Sequence, residues 1–119
     1  MKIFVLEDSA ERIESFKKWL AGNDVTYVED AATAHPLLKN VKYDLIFLDH
    51  DLGNRSMVSS DDPNTGYAVA KEIIHGVNHS TQVVVHSMNP IGAANIMGVL
   101  PNNHAFHRPF GEWIASALK

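Results

Sequence analysis

Groups able to do chemistry recur where the chain's short apolar runs end. Glu7-Asp8 follows Ile3 to Leu6, and Asp49-His50-Asp51 follows Leu45 to Leu48. His86-Ser87-Met88-Asn89 follows Val83 to Val85, and His107-Arg108-Pro109 follows Ala105-Phe106. Carboxylates hold hard cations, imidazoles move protons near neutral pH, and a guanidinium grips an anion in its fork. Asp49 closes an apolar run, where a carboxylate is costly unless paired, hydrogen-bonded or metal-bound. If Glu7, Asp8, Asp49 and Asp51 share one crevice, each close like-charge pair costs on the order of 4 kcal/mol at roughly 4 Å and an effective dielectric of about 20. Protonation or a cation must relieve that repulsion. A divalent ion is the simpler answer: Mg²⁺ suits carboxylates plus phosphate oxygens, and nearby histidine also admits Mn²⁺ or Zn²⁺. An acidic pair such as Glu7-Asp8 is also what an ordinary helix N-terminus favours.

These residues meet only if the fold brings them together. The apolar runs Ile3 to Leu6, Val25 to Val28, Leu45 to Leu48, Val83 to Val85 and Ala105-Phe106 read as strands, and most suit strands covered on both faces. Helical patterns separate them. Asp8 and Ser9 can cap a helix from Ala10, with Glu11 placed as in a capping box, Ile13, Phe16 and Leu20 inward and Gly22 at its end. Ala31 to Lys39 is a weaker helix because of Pro36. Asn64 or Thr65 opens a third, with Val69, Ala70, Ile73 and Ile74 as its inner stripe. Asn89-Pro90 opens a fourth, carrying Ile91, Ala94 and Leu100 and stopping at Pro101. The last runs from Phe110 to Leu118, with Trp113, Ile114 and Ala117 inward. Five β-α alternations predict a single α/β domain over residues 1–119, a parallel sheet with helices on both faces. In a 2-1-3-4-5 strand order, the site lies beyond the carboxyl ends of the central strands.

Composition narrows the function classes. The 119 residues suit one domain, and the absence of cysteine excludes disulfides, thiolate metal sites and a cysteine nucleophile. A net charge of −4 argues against general DNA binding. No apolar run is long enough to span a membrane and the first is too short for a secretory signal, so the expected location is cytoplasmic. Of seven histidines, His35, His75, His79 and His104 fall in helices or loops and read as surface. One of His107 and Arg108 should face the site and the other away, because strand residues alternate. Trp19, Trp113 and the methionines read as packing.

Glu7-Asp8, the strand-terminal Asp49, Ser87 and the run Arg108-Pro109-Phe110 resemble the response-regulator receiver domain over nearly the whole chain. That resemblance implies a flavodoxin-like three-layer sandwich. It also implies Mg²⁺ at Glu7, Asp8, Asp49 and the backbone carbonyl of Asp51. Asp49 would accept a phosphoryl group, Ser87 would sense it, and Arg108 would contact it. Three features depart from the plain pattern: Arg108 stands where lysine is expected, His50 and His86 are added, and the segment Gly53 to Asn64 is long. The combination Asp49-His50-Asp51-Leu52-Gly53, Thr65-Gly66-Tyr67 and His86-Ser87-Met88-Asn89-Pro90 is similar to the cyclic-phosphate processing receiver domain, a small offshoot found in bacteria and phages. The expectation is then a phosphodiesterase that opens a cyclic phosphate, such as a 2′,3′-cyclic RNA end or a cyclic nucleotide. One of His50 and His86 would act as base and the other as acid. Arg108 and Ser87 would bind phosphate oxygens, and Asp49 would ligate the metal or orient His50. Two alternatives remain open: a single-domain response regulator phosphorylated on Asp49 by a kinase partner, and a non-catalytic cyclic-nucleotide binder. The length of the Gly53 to Asn64 segment suits a lid.

Overall fold

The computed structural model describes residues 1–117. Five parallel strands form one sheet: β1 (Lys2–Leu6), β2 (Asp24–Val28), β3 (Leu45–Leu48), β4 (Gln82–Val85) and β5 (Phe106–His107). Their order is β2-β1-β3-β4-β5, as expected from the β-α alternation. The helices are α1 (Ala10–Trp19), α2 (Ala31–Asn40), α3 (Gly66–Ile73), α4 (Pro90–Gly98) and α5 (Trp113–Ala117).

Strand alternation divides the core in two. Phe4, Leu6, Ile46, Leu48, Val83 and Val85 face α2, α3 and α4, meeting Ala34, Leu38, Val69, Ile73, Ala93 and Ile96. Ile3, Val5, Leu45, Phe47 and Val84 face the other way and pack on Phe16 of α1, on Leu20 just after it and on Ile114 of α5. This parity decides where each residue beyond a strand end points.

Helix starts follow local chemistry. Ser9, Asp30, Thr65 and Asn89 cap α1 to α4, each side chain accepting a backbone N–H three residues on. Pro36 sits inside α2 rather than in its first turn, at the cost of the bond its N–H would have made to Ala32. The inward face of α4 also differs from expectation. Gly92, Ala93 and Ile96 point in, whereas Ile91 is 70% exposed and Ala94 is exposed. Leu100 is buried as expected. Met1, Met57 and Met88 are exposed rather than packed, and Ile74 is partly exposed. The fifth strand lies one residue later than the expected Ala105-Phe106. The last helix starts at Trp113, with Ile114 fully buried. Leu118, expected in that helix, lies outside the described residues.

Candidate functional site

The site begins where backbone pairing continues one row past the strands. Glu7 N–H donates to Val28 O (2.9 Å), Asp49 N–H to Leu6 O (3.1 Å), His86 N–H to Leu48 O (3.0 Å) and Arg108 N–H to Val85 O (2.9 Å). Glu7, Asp49, His86 and Arg108 therefore occupy one row across four strand ends, on the α1/α5 side. Glu7, Asp49 and His86 are buried, and each offers a ligand atom within 4.8 Å of the others. His86 Nε2 lies 3.0 Å from Glu7 Oε1. The carboxylate can only accept, so Nε2 carries the proton there. The His86 ring is held edge-on against Phe16, centroids 5.1 Å apart, and among the described residues its Nδ1 has no hydrogen-bond partner.

The two acids of this row are tuned in opposite directions. Burial alone would raise the Glu7 pKa. The His86 hydrogen bond and charge, the Ser9 N–H and the Arg12 guanidinium outweigh it, so Glu7 is held below the ordinary carboxylate range. Its Oε2 accepts the N–H groups of Asp8 and Ser9, and Arg12 Nη1 stands 3.6 Å from Oε1. Asp49 goes up, to about 7. Burial is the main cause; the charge of Glu7 adds to it, while His86, Arg12 and the His50 N–H oppose it.

A cleft of about 240 Å³ opens over the Glu7 and Asp49 end of this row, with His86 buried behind it. Glu7, Asp8, Asp49 and Asp51 line it together with Arg12, Arg55, Ser56, Asn54 and Met88. The four expected carboxylates thus share one crevice. Two cations stand in its wall, and neither is the expected Arg108. Arg108 is exposed and lays its guanidinium over the Trp113 ring, 4.7 Å from the centroid. Arg12 reaches the cleft because it lies in the first turn of α1, which faces the strand ends; its position three residues after the Ser9 cap was the available signal. Arg55 comes from the irregular segment after β3, where no periodicity marks it.

A buried pair of carboxylates with one pKa raised is a donor set short of positive charge. It fits a divalent cation, with Asp49, Glu7 and Asp8 as oxygen donors and His86 within reach. Asp51 is less available. Its carboxylate accepts from His50 Nδ1 (2.8 Å), Asn89 Nδ2 (3.0 Å), Met57 N–H (2.7 Å) and Val58 N–H (3.1 Å). Burial would raise its pKa, but these four bonds hold it below the usual value.

The two imidazoles expected around one anion pocket are not brought together. His50 is one residue beyond Asp49, so it turns to the opposite face of the sheet, against α4. It is fully buried, and a Cβ on Gly92 would stand 2.4 Å from its ring. Its Nε2 lies 2.9 Å from Ser60 Oγ. Ser87 is buried, and its hydroxyl accepts the Asn89 N–H at the entrance to α4. His107 places Nε2 2.7 Å from the Ser87 carbonyl, away from the cleft-lining groups. Residues Gly53 to Asn64 are tied down at several points. Asn54 N–H donates to Asp8, Arg55 pairs with Asp62, and Asn64 Oδ1 accepts the Ala31 N–H at the start of α2.

Comparison with curated protein sequences finds no match. Solved structures are similar in fold. The Mn²⁺-bound response regulator Rcp1 superposes with a TM-score of 0.71 at 16% identity, over 98% of this chain and 88% of that one. The receiver domain of sensor histidine kinase PA1611 from Pseudomonas aeruginosa PAO1 has magnesium coordinated in its active-site cleft. It matches with a TM-score of 0.71 at 20% identity, over 98% and 89%. A Burkholderia pseudomallei response regulator with a phosphorylated aspartic acid, calcium ion and citrate matches at 0.69 and 16%, over 98% of this chain and 64% of that one. The family model for the cyclic-phosphate processing Receiver domain matches residues 1–102, the span that holds β1 to β4, the acidic row and the segment bearing Arg55. With that match and this sheet, the chain belongs to the cyclic-phosphate processing receiver domain family.

Proposed function

We propose that the cleft over Glu7 and Asp49, with His86 buried beside them, binds a divalent cation and a cyclic phosphate, and that the protein opens that phosphodiester with water. The observation that carries this reading is the pairing of a buried, charge-deficient acidic row with two guanidinium groups, Arg12 and Arg55, in the same cleft. The cation would supply charge neutralisation for the phosphate and the carboxylates. Arg12 and Arg55 bind non-bridging phosphate oxygens, a task the guanidinium fork suits. His86 is the imidazole of this site; Glu7 fixes its tautomer and ring orientation and makes the pair the proton-handling element. His50 takes no part in this pocket. A mononucleotide 2′,3′-cyclic phosphate or an RNA end so terminated is the substrate class. Nothing in the cleft calls for a membrane: among the described residues no helix is long and apolar enough to cross one.

The experiment is turnover of 2′,3′-cyclic mononucleotides and cyclic dinucleotides with Mg²⁺ or Mn²⁺, followed by phosphorus NMR. We expect a ring-opened monoester, lost with chelator. Arg12→Ala should lower kcat/KM by about 10²-fold, the scale of a lost charge-assisted contact of roughly 3 kcal/mol. Tight binding without product would turn the reading into sequestration. A second reading rests on Asp49 itself, which directly follows β3 and lines the cleft as a phospho-acceptor would. A stable mass increase from a small phosphodonor, absent in Asp49→Asn, would favour a kinase-partnered receiver instead.

A further inference from the structure

Behind the acidic cleft, Ser60 and His50 join Asp51, whose carboxylate borders that cleft, in a continuous relay of side chains. Ser60 Oγ lies 2.9 Å from His50 Nε2, and His50 Nδ1 lies 2.8 Å from Asp51 Oδ1. With a neutral His50 ring, whose Nδ1 also lies 3.4 Å from Asn89 Nδ2, hydrogen-bond accounting gives each bond of the relay a direction. Asp51 accepts from four groups and donates to none, so the Nδ1 proton points to it. Nε2 then presents its lone pair to the serine. Asn95 Nδ2 donates to Ser60 Oγ at 2.8 Å, which leaves the hydroxyl hydrogen directed at Nε2. His50 cannot swing away, because its ring is fully buried and wedged against Gly92. A hydroxyl aimed at an imidazole base, itself oriented by a half-buried carboxylate, is the arrangement of an activated serine nucleophile.

The serine also has a place for a substrate. A second cleft, of about 320 Å³, is lined by Val58, Ser60, Asp61, Asn89, Ile91 and Asn95 among others. It shares none of its lining residues with the acidic cleft. No lysine or arginine lines it, and Asp61 does, so its charge disfavours a phosphate and suits an uncharged substrate. We propose that Ser60 is a nucleophile for acyl transfer, and that this second cleft takes a small neutral carboxylic ester. Ser60 Oγ bonds to the carbonyl carbon as its proton passes to His50 Nε2. The carbon–oxygen bond to the leaving alcohol then breaks, and the alkoxide takes that proton. Water, giving its proton to His50, releases the acid and restores the serine. Asn95 Nδ2, which donates to Ser60 Oγ from the wall of this cleft, is a side-chain donor available to the acyl oxygen as it gathers charge. No step of this reaction is routed through the cation.

Ser59, exposed and adjacent, is a built-in control, because its hydroxyl accepts the Asp61 N–H while Ser60 is the serine bonded to His50. The test is labelling of the intact protein with a fluorophosphonate probe, read by peptide mass spectrometry. Activation by a positioned base predicts modification of Ser60 at least about 100-fold faster than Ser59. The adduct should disappear in Ser60→Ala, and p-nitrophenyl acetate hydrolysis should disappear with it. His50→Gln should abolish the preference for Ser60. Should that variant fail to fold, the Ser60-to-Ser59 ratio in the unaltered protein still decides. Equal labelling of the two serines, or none at Ser60, overturns the proposal. Ser60→Ala should leave cyclic-phosphate opening unchanged, so failure of either reading is seen separately.

Discussion

A carboxylate nearly sealed from water, as Asp49 is, makes folding sensitive to pH. Its folded pKa of about 7 lies above the ordinary value of 3.8. Below about pH 4 both folded and unfolded chains hold the proton, and no penalty applies. Between about 4 and 7 the unfolded chain releases it first, so stability falls as pH rises; above about 7 the loss is complete. At about 1.4 kcal/mol per unit over a shift of roughly three units, the loss is on the order of 4 kcal/mol. Asp49→Asn should therefore be more stable than the unaltered protein at pH 8 in metal-free buffer and indistinguishable near pH 4, by urea denaturation. A variant less stable at both values would mean that the hydrogen bond from the His50 N–H dominates instead. The convergence of Glu7, Asp49 and His86 was legible, because strand-end positions in a parallel sheet share an edge. The separation of His50 from His86 was legible in principle too. The alternation that sets His107 against Arg108 also sets His50 against Asp49. Arg12 was harder to see: a basic residue in the first turn of a helix has many reasons to be there.

Among the elements, α3 and α4 are positioned by glycines that the strand ends touch. A Cβ at Gly66 would stand 1.8 Å from the Asp49 carbonyl, and one at Gly92 would stand 2.4 Å from the His50 ring. The first obstacle is backbone and cannot yield. Gly66→Ala should push the start of α3 off β3 and cost at least about 1–3 kcal/mol, the range of overpacked interiors. Gly92→Ala meets a side chain, and the ring must leave Ser60 or α4 must move. It should cost a similar amount in stability and cut fluorophosphonate labelling of Ser60, while cyclic-phosphate turnover stays the same. Normal labelling together with full stability would mean that the contact yields easily. These constraints explain why the inner face of α4 was not readable. Apolar character selected Ile91 and Ala94, but close approach to His50 selects Gly92, and α4 turns accordingly. The existence and order of the elements were plain from the alternation of apolar runs and caps. The long segment after β3 was not. Its course is set by Asp51, Asp8 and Ser60 acting at a distance, together with positive φ at Gly53, Asn54 and Met57.

For the molecule as a whole, the acidic row couples cation binding to folding. The chain carries a net charge of −4 and concentrates several of its carboxylates at one edge of the sheet. An ion bound there stabilises only the folded state, because the unfolded chain does not gather Glu7, Asp8 and Asp49. At a hundredfold excess over Kd the gain is about 2.7 kcal/mol. For a domain of this size that corresponds to a rise in Tm of roughly 8–16 °C. The same ion competes with the proton on Asp49. The rise with Mg²⁺ or Mn²⁺ should therefore be large at pH 8, small at pH 5, and nearly absent in Asp49→Asn. Differential scanning calorimetry with and without chelator measures all three. An equal rise at both pH values would place the ion elsewhere on the surface, away from Asp49. A rise confined to high pH and abolished by Asp49→Asn would tie it to the buried row, where the carboxylate that burdens the empty fold becomes the group that the cation stabilises.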